Sequence, residues 1–308
     1  MLETFLAALS VVCTMLIYAV PGFFLIKAKL VKSDQISAFA KLLMYVSSPC
    51  LVFHSITENE FSLELVGQMG IAFAFALGFF LLGIGLFFLV FKKKSDDVRY
   101  RVYNLACVLS NCAFMGVPVL EALLPGYAPA LAFSAMFSLA MNIVSWSLGA
   151  FIISRDKKYI SPKKIFLNPA VIGLICAIPI FVFSVSVPDV VNVPVTLLAK
   201  MSAPLCMLIM GMRLACASLK DVFLKPSQYV IVALKQIAFP LLVFVILLPL
   251  PIEQNLKTSI YIILSCPVAS VILSFAEMIN KGQKSAANLV LLGTSLSAIT
   301  VPIMSLLI

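Results

Sequence analysis

Charge is scarce in this sequence. Only 11% of its 308 residues are Asp, Glu, Lys or Arg, and there is one histidine and one tryptophan. A soluble domain needs a charged exterior, so a chain that is 62% hydrophobic with a mean hydropathy of +1.12 falls outside that class. No polar stretch is longer than a modest loop, which excludes a large soluble domain. The apolar stretches are continuous and do not alternate in ten-residue segments, which excludes an outer-membrane β-barrel. HExxH, GxSxG and a pair of aspartates within the apolar segments are all missing, which argues against an intramembrane hydrolase or lipid transferase. Without GxxxxGK[ST] there is no phosphate loop for a primary pump. The eight cysteines form no CxxC pair and sit inside apolar segments, so they read as small packing residues rather than as metal ligands or a disulfide framework.

What remains is a series of apolar runs of about 20 residues, each long enough to cross a bilayer core of roughly 30 Å. The run from Met1 to Lys29 is read as a first span rather than a signal peptide. Glu3 comes first, and Lys27, Lys29 and Lys32 follow the apolar stretch instead of preceding it. Ten spans are expected, at 4–27, 35–57, 64–91, 99–124, 128–154, 166–187, 192–218, 226–250, 256–280 and 284–308. Pro-Gly-Tyr-Ala-Pro at 125–129 marks a tight turn between the fourth and fifth.

The connections alternate in charge. Lys27 to Lys32, Lys92 to Arg101, Arg155 to Lys164, Lys220 with Lys225, and Lys281 with Lys284 form one set. Glu58 and Glu60, Glu121, Asp189, and Glu253 with Lys257 form the other. Lys/Arg excess marks cytoplasmic loops, so both termini are expected on the outer side of the inner (plasma) membrane. The net charge of +9 then arises from loops lying against an anionic leaflet, and no nucleic-acid partner is needed to explain it.

The chain divides at the basic linker 155–165 into residues 1–154 and 166–308, each holding five spans. An odd number of spans inserts the second half in the opposite direction. Ser47-Ser48-Pro49 in the second span is echoed by Ser202-Ala203-Pro204 in the seventh, and Gly116-Val117-Pro118 in the fourth by Ser265-Cys266-Pro267 in the ninth. A proline removes a helix hydrogen bond and clashes with the preceding turn, and in lipid the freed groups need a protein, water or ligand partner. Interrupted helices at matching places in inverted halves point to a secondary carrier with its solute site near the midplane. A plain kink is the simpler account of any single proline. Within Ser110 to Pro118, Asn111 places an amide near the span centre, where it is costly unless paired. Gly116 and Pro118 loosen the helix beyond it, leaving a short second half whose N-terminus suits an anionic group.

At these residues the sequence resembles the auxin efflux carrier family of membrane transporters, in its bacterial form. The matching features are Asn111 with Gly116-Val117-Pro118, Ser48-Pro49, Pro267 and Thr300-Val301-Pro302. The resemblance covers essentially the whole chain. It implies an all-α membrane protein of two inverted five-helix repeats, with broken fourth and ninth helices crossing near the midplane. Spans one, two, six and seven would be a scaffold that also forms a homodimer. Spans three to five and eight to ten would be a transport domain moving by elevator-like or rocking alternating access. The long central loop of plant members is absent, and with it their mode of regulation through that loop.

Polar residues within spans complete the list of candidates. Asn111, Gly116, Pro118, Asn142, Pro267, Ser270 and Ser48 are the substrate-binding candidates, with helix–helix hydrogen bonding as the alternative for Asn142 and Ser270. Lys235 lies well inside the eighth span beside Gln236. Either it pairs with Glu277 or holds an anion, its charge standing in for a coupling cation, or it snorkels to the cytoplasmic face. Arg213 and Lys200 read as snorkelling, and His54 as interfacial. The expected function is secondary transport, by efflux or exchange, of a small organic anion such as a mono- or dicarboxylate. No cofactor is expected beyond proton or sodium coupling. A sensor or receptor without transport is the alternative from a second class, and the short loops leave it no signalling domain.

Overall fold

In hydrocarbon no water satisfies backbone N–H and C=O groups, so apolar runs of this length close their hydrogen bonds internally as helices. The computed structural model describes residues 2–308 and is all-helical, with one isolated β-bridge and no strand among the described residues. Its principal helices are α1 (Leu2–Lys27), α2 (Ser33–Thr57), α3 (Leu63–Phe91), α4 (Val98–Ala106), α5 (Gly116–Leu123) and α6 (Pro129–Ser154). They continue as α7 (Pro169–Val182), α8 (Asp189–Cys216), α9 (Pro226–Leu247), α10 (Gln254–Ser265), α11 (Val271–Met278) and α12 (Gln283–Met304). Eight are long and apolar enough to cross a membrane, α7 being counted with the short turns before it. The remaining four are short and come in two pairs. Residues 107–115 separate α4 from α5, and residues 266–270 separate α10 from α11.

Helix starts follow the capping residues. Ser62 Oγ accepts from Leu65 N–H, Asp97 Oδ1 from Arg99 N–H, and Asn168 Oδ1 from Ala170 N–H. Asn168 with Pro169 sets the start of α7 three residues later than the sequence suggests. Its end also comes early, because Ser184 takes a left-handed conformation and Val185 N–H turns back to the Ile180 carbonyl. The turn before α6 needs Gly126, whose φ of +76° is strained for any residue with a side chain.

Prolines are accommodated in several ways. Pro49 and Pro240 each follow a widened π-turn, at Leu43–Ser47 and Leu234–Ala238, which relieves the missing hydrogen bond one turn back. Pro204 coincides with a break in α8 at Met201. Pro21, Pro179, Pro194 and Pro302 stay within helices.

The most extensive helix pairings are α1 with α8 and α2 with α7. Both rely on glycine at the contact. A Cβ on Gly22 would fall 2.0 Å from the Leu208 carbonyl oxygen, and one on Gly211 would fall 1.8 Å from that of Ala19. A Cβ on Gly173 of α7 would come within 2.4 Å of the Pro49 carbonyl oxygen in α2. Small residues that let backbones approach are a means of association between helices in lipid, where no hydrophobic drive separates protein from solvent.

The loops collect at two ends. At the basic end Arg155 pairs with Asp96 at 2.6 Å and hydrogen-bonds Ser95, while the Lys164 ammonium sits 4.5 Å over the Trp146 ring. Residues 155–165 are therefore folded against α6. Also at this end, Asp221 on the short helix Leu219–Phe223 binds Lys284 and Lys225. At the other end Glu58, Glu60, Glu64, Tyr127 and Glu253 line one depression of about 480 Å³. The Tyr127 hydroxyl donates to Glu253 at 2.8 Å, and burial together with that carboxylate pushes the phenol pKa up.

Two outcomes follow from these contacts. Gly211→Ala should force α1 and α8 apart and destabilise the fold by about 1–3 kcal/mol, read as a lowered melting midpoint in detergent. The hydrogen bonds from Lys284 and Lys225 hold the Asp221 carboxyl at about 2, below its ordinary 3.8. A depressed carboxylate contributes its full stabilisation above pH 3.8 and loses it as pH falls through about 2. The native melting midpoint should drop across that window, and Asp221→Asn should flatten this part of the profile.

Candidate functional site

The two unwound segments meet. Asn111 N–H donates to the Pro267 carbonyl at 2.8 Å and Ala269 N–H donates to the Leu109 carbonyl at 3.0 Å, an antiparallel bridge with Ser110 opposite Val268. Each break thus satisfies part of the other's backbone, as groups freed from helices inside a membrane protein require. Ser134 on α6 adds a side-chain bond, its hydroxyl donating to the Cys112 carbonyl at 2.9 Å.

Local chemistry explains how each segment leaves the helix and re-enters it. Pro267 cannot donate, so α10 ends just before it. Pro118 occupies the third position of α5, where a missing N–H leaves a helix intact. Gly116 and Val117 N–H groups are satisfied by the Asn111 and Ala113 carbonyls. The open donors lie earlier: the Ala113, Phe114 and Met115 N–H groups find no acceptor among the described residues. The same is true of Ser270 and Val271 at the start of α11. Two sets of free N–H groups, each at the positive end of a short helix, therefore flank the crossing. Ser270 is exposed, and Asn111, Ala113, Phe114 and Val271 are half-buried.

Lys235 and Gln236 face this crossing from α9. They are sequence neighbours, about 100° apart on an ideal α-helix, yet both are completely buried. They belong to the π-turn Leu234–Ala238, which widens the helix at this point. The Lys235 ammonium donates to the Ser110 hydroxyl at 2.6 Å and to the Leu264 carbonyl, in the last turn of α10, at 2.8 Å. Gln236 joins α9 to α12: its Nε2 donates to the Gly293 carbonyl at 2.8 Å, and its Oε1 accepts from the Thr300 hydroxyl at 2.6 Å. A Cβ at Gly293 would lie 3.1 Å from Gln236 Nε2, so a glycine makes room for this bond.

Several expectations are corrected by this geometry. Glu277 is not the partner of Lys235. It lies seven residues beyond Ser270, roughly 10 Å along α11 and toward the basic end. There its carboxylate is 3.4 Å from Arg213 Nη1. Nor does Lys235 snorkel, because its side chain is wholly buried. Asn142 is not brought to Asn111. It lies eight residues, about 12 Å, along α6 from Ser134. Its amide donates to the Ile165 carbonyl and accepts from Asn168, holding the linker. Ser48 is half-buried on α2 and its hydroxyl makes no hydrogen bond among the described residues, whereas the neighbouring Ser47 hydroxyl is fully buried and unpartnered. His54 is buried near Glu58 and Thr196, each 3.5 Å from its Nδ1.

Ser110, the Leu264 carbonyl and Thr300 acquire roles here that sequence reasoning did not assign. Ser110 lies one residue before Asn111, but an isolated serine in an apolar run carries little signal. A backbone carbonyl carries none.

Gln236→Leu should leave the Thr300 hydroxyl and Gly293 carbonyl without their partner, costing about 1–3 kcal/mol. The melting midpoint in detergent checks this, and an unchanged midpoint would mean that the α9–α12 link is not structural.

No curated protein matches the chain significantly. A family model described as membrane transport protein matches residues 7–305. That span takes in both interrupted segments, the π-turn that carries Lys235, and all or most of each of the eight long helices. The chain therefore belongs to the membrane transport protein family, that of the auxin efflux carriers, and is a multi-pass membrane protein of a transporter family.

Proposed function

We propose that this protein is a secondary carrier for a small organic anion, a mono- or dicarboxylate, working by alternating access. The observation that carries the reading is the paired crossing, with free N–H donors at the positive ends of α5 and α11. A carboxylate bound there would accept from Ser270, Val271, Ala113 or Phe114 N–H groups, with the Asn111 amide beside it. Pro118 and Pro267 keep the segments unwound, and Gly116 turns the chain back into helix.

On this reading the chain crosses the membrane ten times, the α4–α5 and α10–α11 pairs each counting once, as two inverted five-helix repeats. The glycine-mediated pairings of α1 with α8 and α2 with α7 support a scaffold of the first, second, sixth and seventh spans. These two pairings exchange under the repeat, first with sixth and second with seventh. The rest of the chain is the moving part, and the scaffold is the surface for a homodimer. The Lys/Arg-rich ends face the cytoplasm and the termini lie outside, in the inner (plasma) membrane.

The side-chain arrangement favours a conformation open toward the basic end. Leu51, Val117, Leu131 and Ala199 form an apolar cluster separate from the main core, joining α2 and α8 to α5 and α6. Ser270, Ser274 and Glu277 recur at i, i+4 and i+7 along α11, and each is at least partly exposed. A polar face of this kind belongs against water rather than lipid.

Proteoliposomes loaded in turn with labelled malate, malonate and an indole acid test the reading. Flux of at least one carboxylate is expected, and Asn111→Ala should reduce it about 10-fold or more, the loss of one hydrogen bond to a charged group. No flux of any carboxylate under imposed proton or sodium gradients would remove the anion assignment.

A further inference from the structure

We infer that the Lys235 ammonium is a built-in counter-cation at the helix crossing. It takes the position that a dissolved coupling cation would occupy, so that the carrier works with no bound sodium ion. The inference rests on the transporter reading above and deepens it by specifying the coupling.

The location is the first argument. In carriers with interrupted helices, unwound carbonyls and the C-terminal ends of half-helices are the natural ligands of a small cation. The last four carbonyls of a helix lack intrahelical donors, and they carry the negative end of its dipole. Lys235 reaches this kind of place. Its Nζ lies 2.8 Å from the Leu264 carbonyl oxygen at the end of α10, and 2.6 Å from Ser110 Oγ in the unwound segment between α4 and α5. Ser110 in turn points its hydroxyl at the same Leu264 carbonyl, 3.5 Å away. One ammonium thus bridges the two interrupted segments, with oxygen partners from both.

The second argument is the lack of any competing partner. A completely buried ammonium inside a membrane protein normally pairs with a carboxylate. The only acidic side chain on α10 or α11 is Glu277, and it is engaged by Arg213 at the basic end. The other titratable side chains that act on Lys235 are the Cys107, Cys112 and Cys266 thiols, which bring no charge of their own at neutral pH. The positive charge is therefore matched by backbone and hydroxyl dipoles alone, as a bound metal cation's would be. No group of three or more His, Cys, Asp or Glu capable of holding a metal ion exists among the described residues.

The third argument is the helix geometry. The π-turn at Leu234–Ala238 lets both Lys235 and Gln236 face inward, and Gln236 is anchored to α12 at Gly293 and Thr300. The Lys235 backbone is thereby fixed relative to the crossing. A flexible lysine then delivers its charge to one place, and it travels with the crossing if that part of the protein moves.

The test has two arms on the full-length protein. In the first, without substrate, melting in detergent is compared in about 0.15 M sodium, potassium and N-methylglucamine chloride, equal in ionic strength. The native midpoint should be the same in all three. Lys235→Gln should melt lower than native in every salt, and Lys235→Arg, which keeps the charge, should recover part of the loss. A sodium-specific rise of the native midpoint, or Lys235→Gln melting like native, overturns the inference. If Lys235→Gln fails to fold, the salt comparison on the native protein and on Lys235→Arg still decides. In the second arm, malonate uptake into proteoliposomes should run at the same rate with sodium or potassium outside. Lys235→Gln should lose about 10-fold or more and Lys235→Arg should retain a measurable part. Uptake that requires sodium overturns the inference. If malonate and the other carboxylates are not moved at all, the anion reading fails while the first arm still judges the cation.

Discussion

Backbone groups that leave a helix inside a membrane have no water to turn to, and this constraint governs the centre of the molecule. Residues 110–115 and 267–270 leave the helical hydrogen-bond ladder, and each segment would be untenable alone in hydrocarbon. They resolve this by exchanging two backbone bonds across the bridge of Ser110 with Val268. Much of the surrounding detail serves that exchange. Ser134 satisfies the Cys112 carbonyl, Lys235 the Leu264 carbonyl, and Gln236 fastens α9 to α12 beside them.

The crossing leaves a particular electrostatic pattern. Two helix C-termini and two helix N-termini come together in a small volume, so partial charges of both signs are close. At the end of α10 the negative pole meets a buried ammonium. At the starts of α5 and α11 the N–H groups of Ala113, Phe114, Ser270 and Val271 remain without acceptors. Such a site answers a negative ligand with dipoles on two sides and a fixed positive charge nearby. That is the physical content of the organic-anion proposal, and it also makes a dissolved cation unnecessary.

The periphery is built on a different principle. The α1–α8 and α2–α7 pairs rely on backbone contact at Gly22, Gly211 and Gly173, where any side chain would collide with a carbonyl oxygen. Contacts of that kind tolerate little sliding. By contrast, the contact between α2 or α8 and the α5–α6 region runs partly through the small cluster of Leu51, Val117, Leu131 and Ala199, apolar and without hydrogen bonds to break. Rigid glycine seams on one side and a slippery apolar seam on the other favour motion at the second. This agrees with a carrier whose site changes sides, as proposed.

The sequence alone determined the solvent, the helical class and the family. Continuous apolar runs admit only helices in lipid, and the motif from Asn111 to Pro118 is specific enough to suggest the relatives. It also marked where helices would be disturbed, since Pro49, Pro204, Pro118 and Pro267 cannot complete a helical ladder. The partners were beyond its reach. Glu277 is three residues from Ser274 and looked available to Lys235, but the direction of α11 carries it to Arg213 instead. Asn142 looked like a mate for Asn111, but two turns of α6 separate it from the crossing and place it against the linker. Lys235 found a backbone carbonyl and a serine hydroxyl, groups that every run of sequence contains in quantity. Composition and spacing report which groups must be satisfied, because that depends on the side chain and its depth. Which group satisfies them depends on how two distant segments cross, and only the tertiary structure decided that.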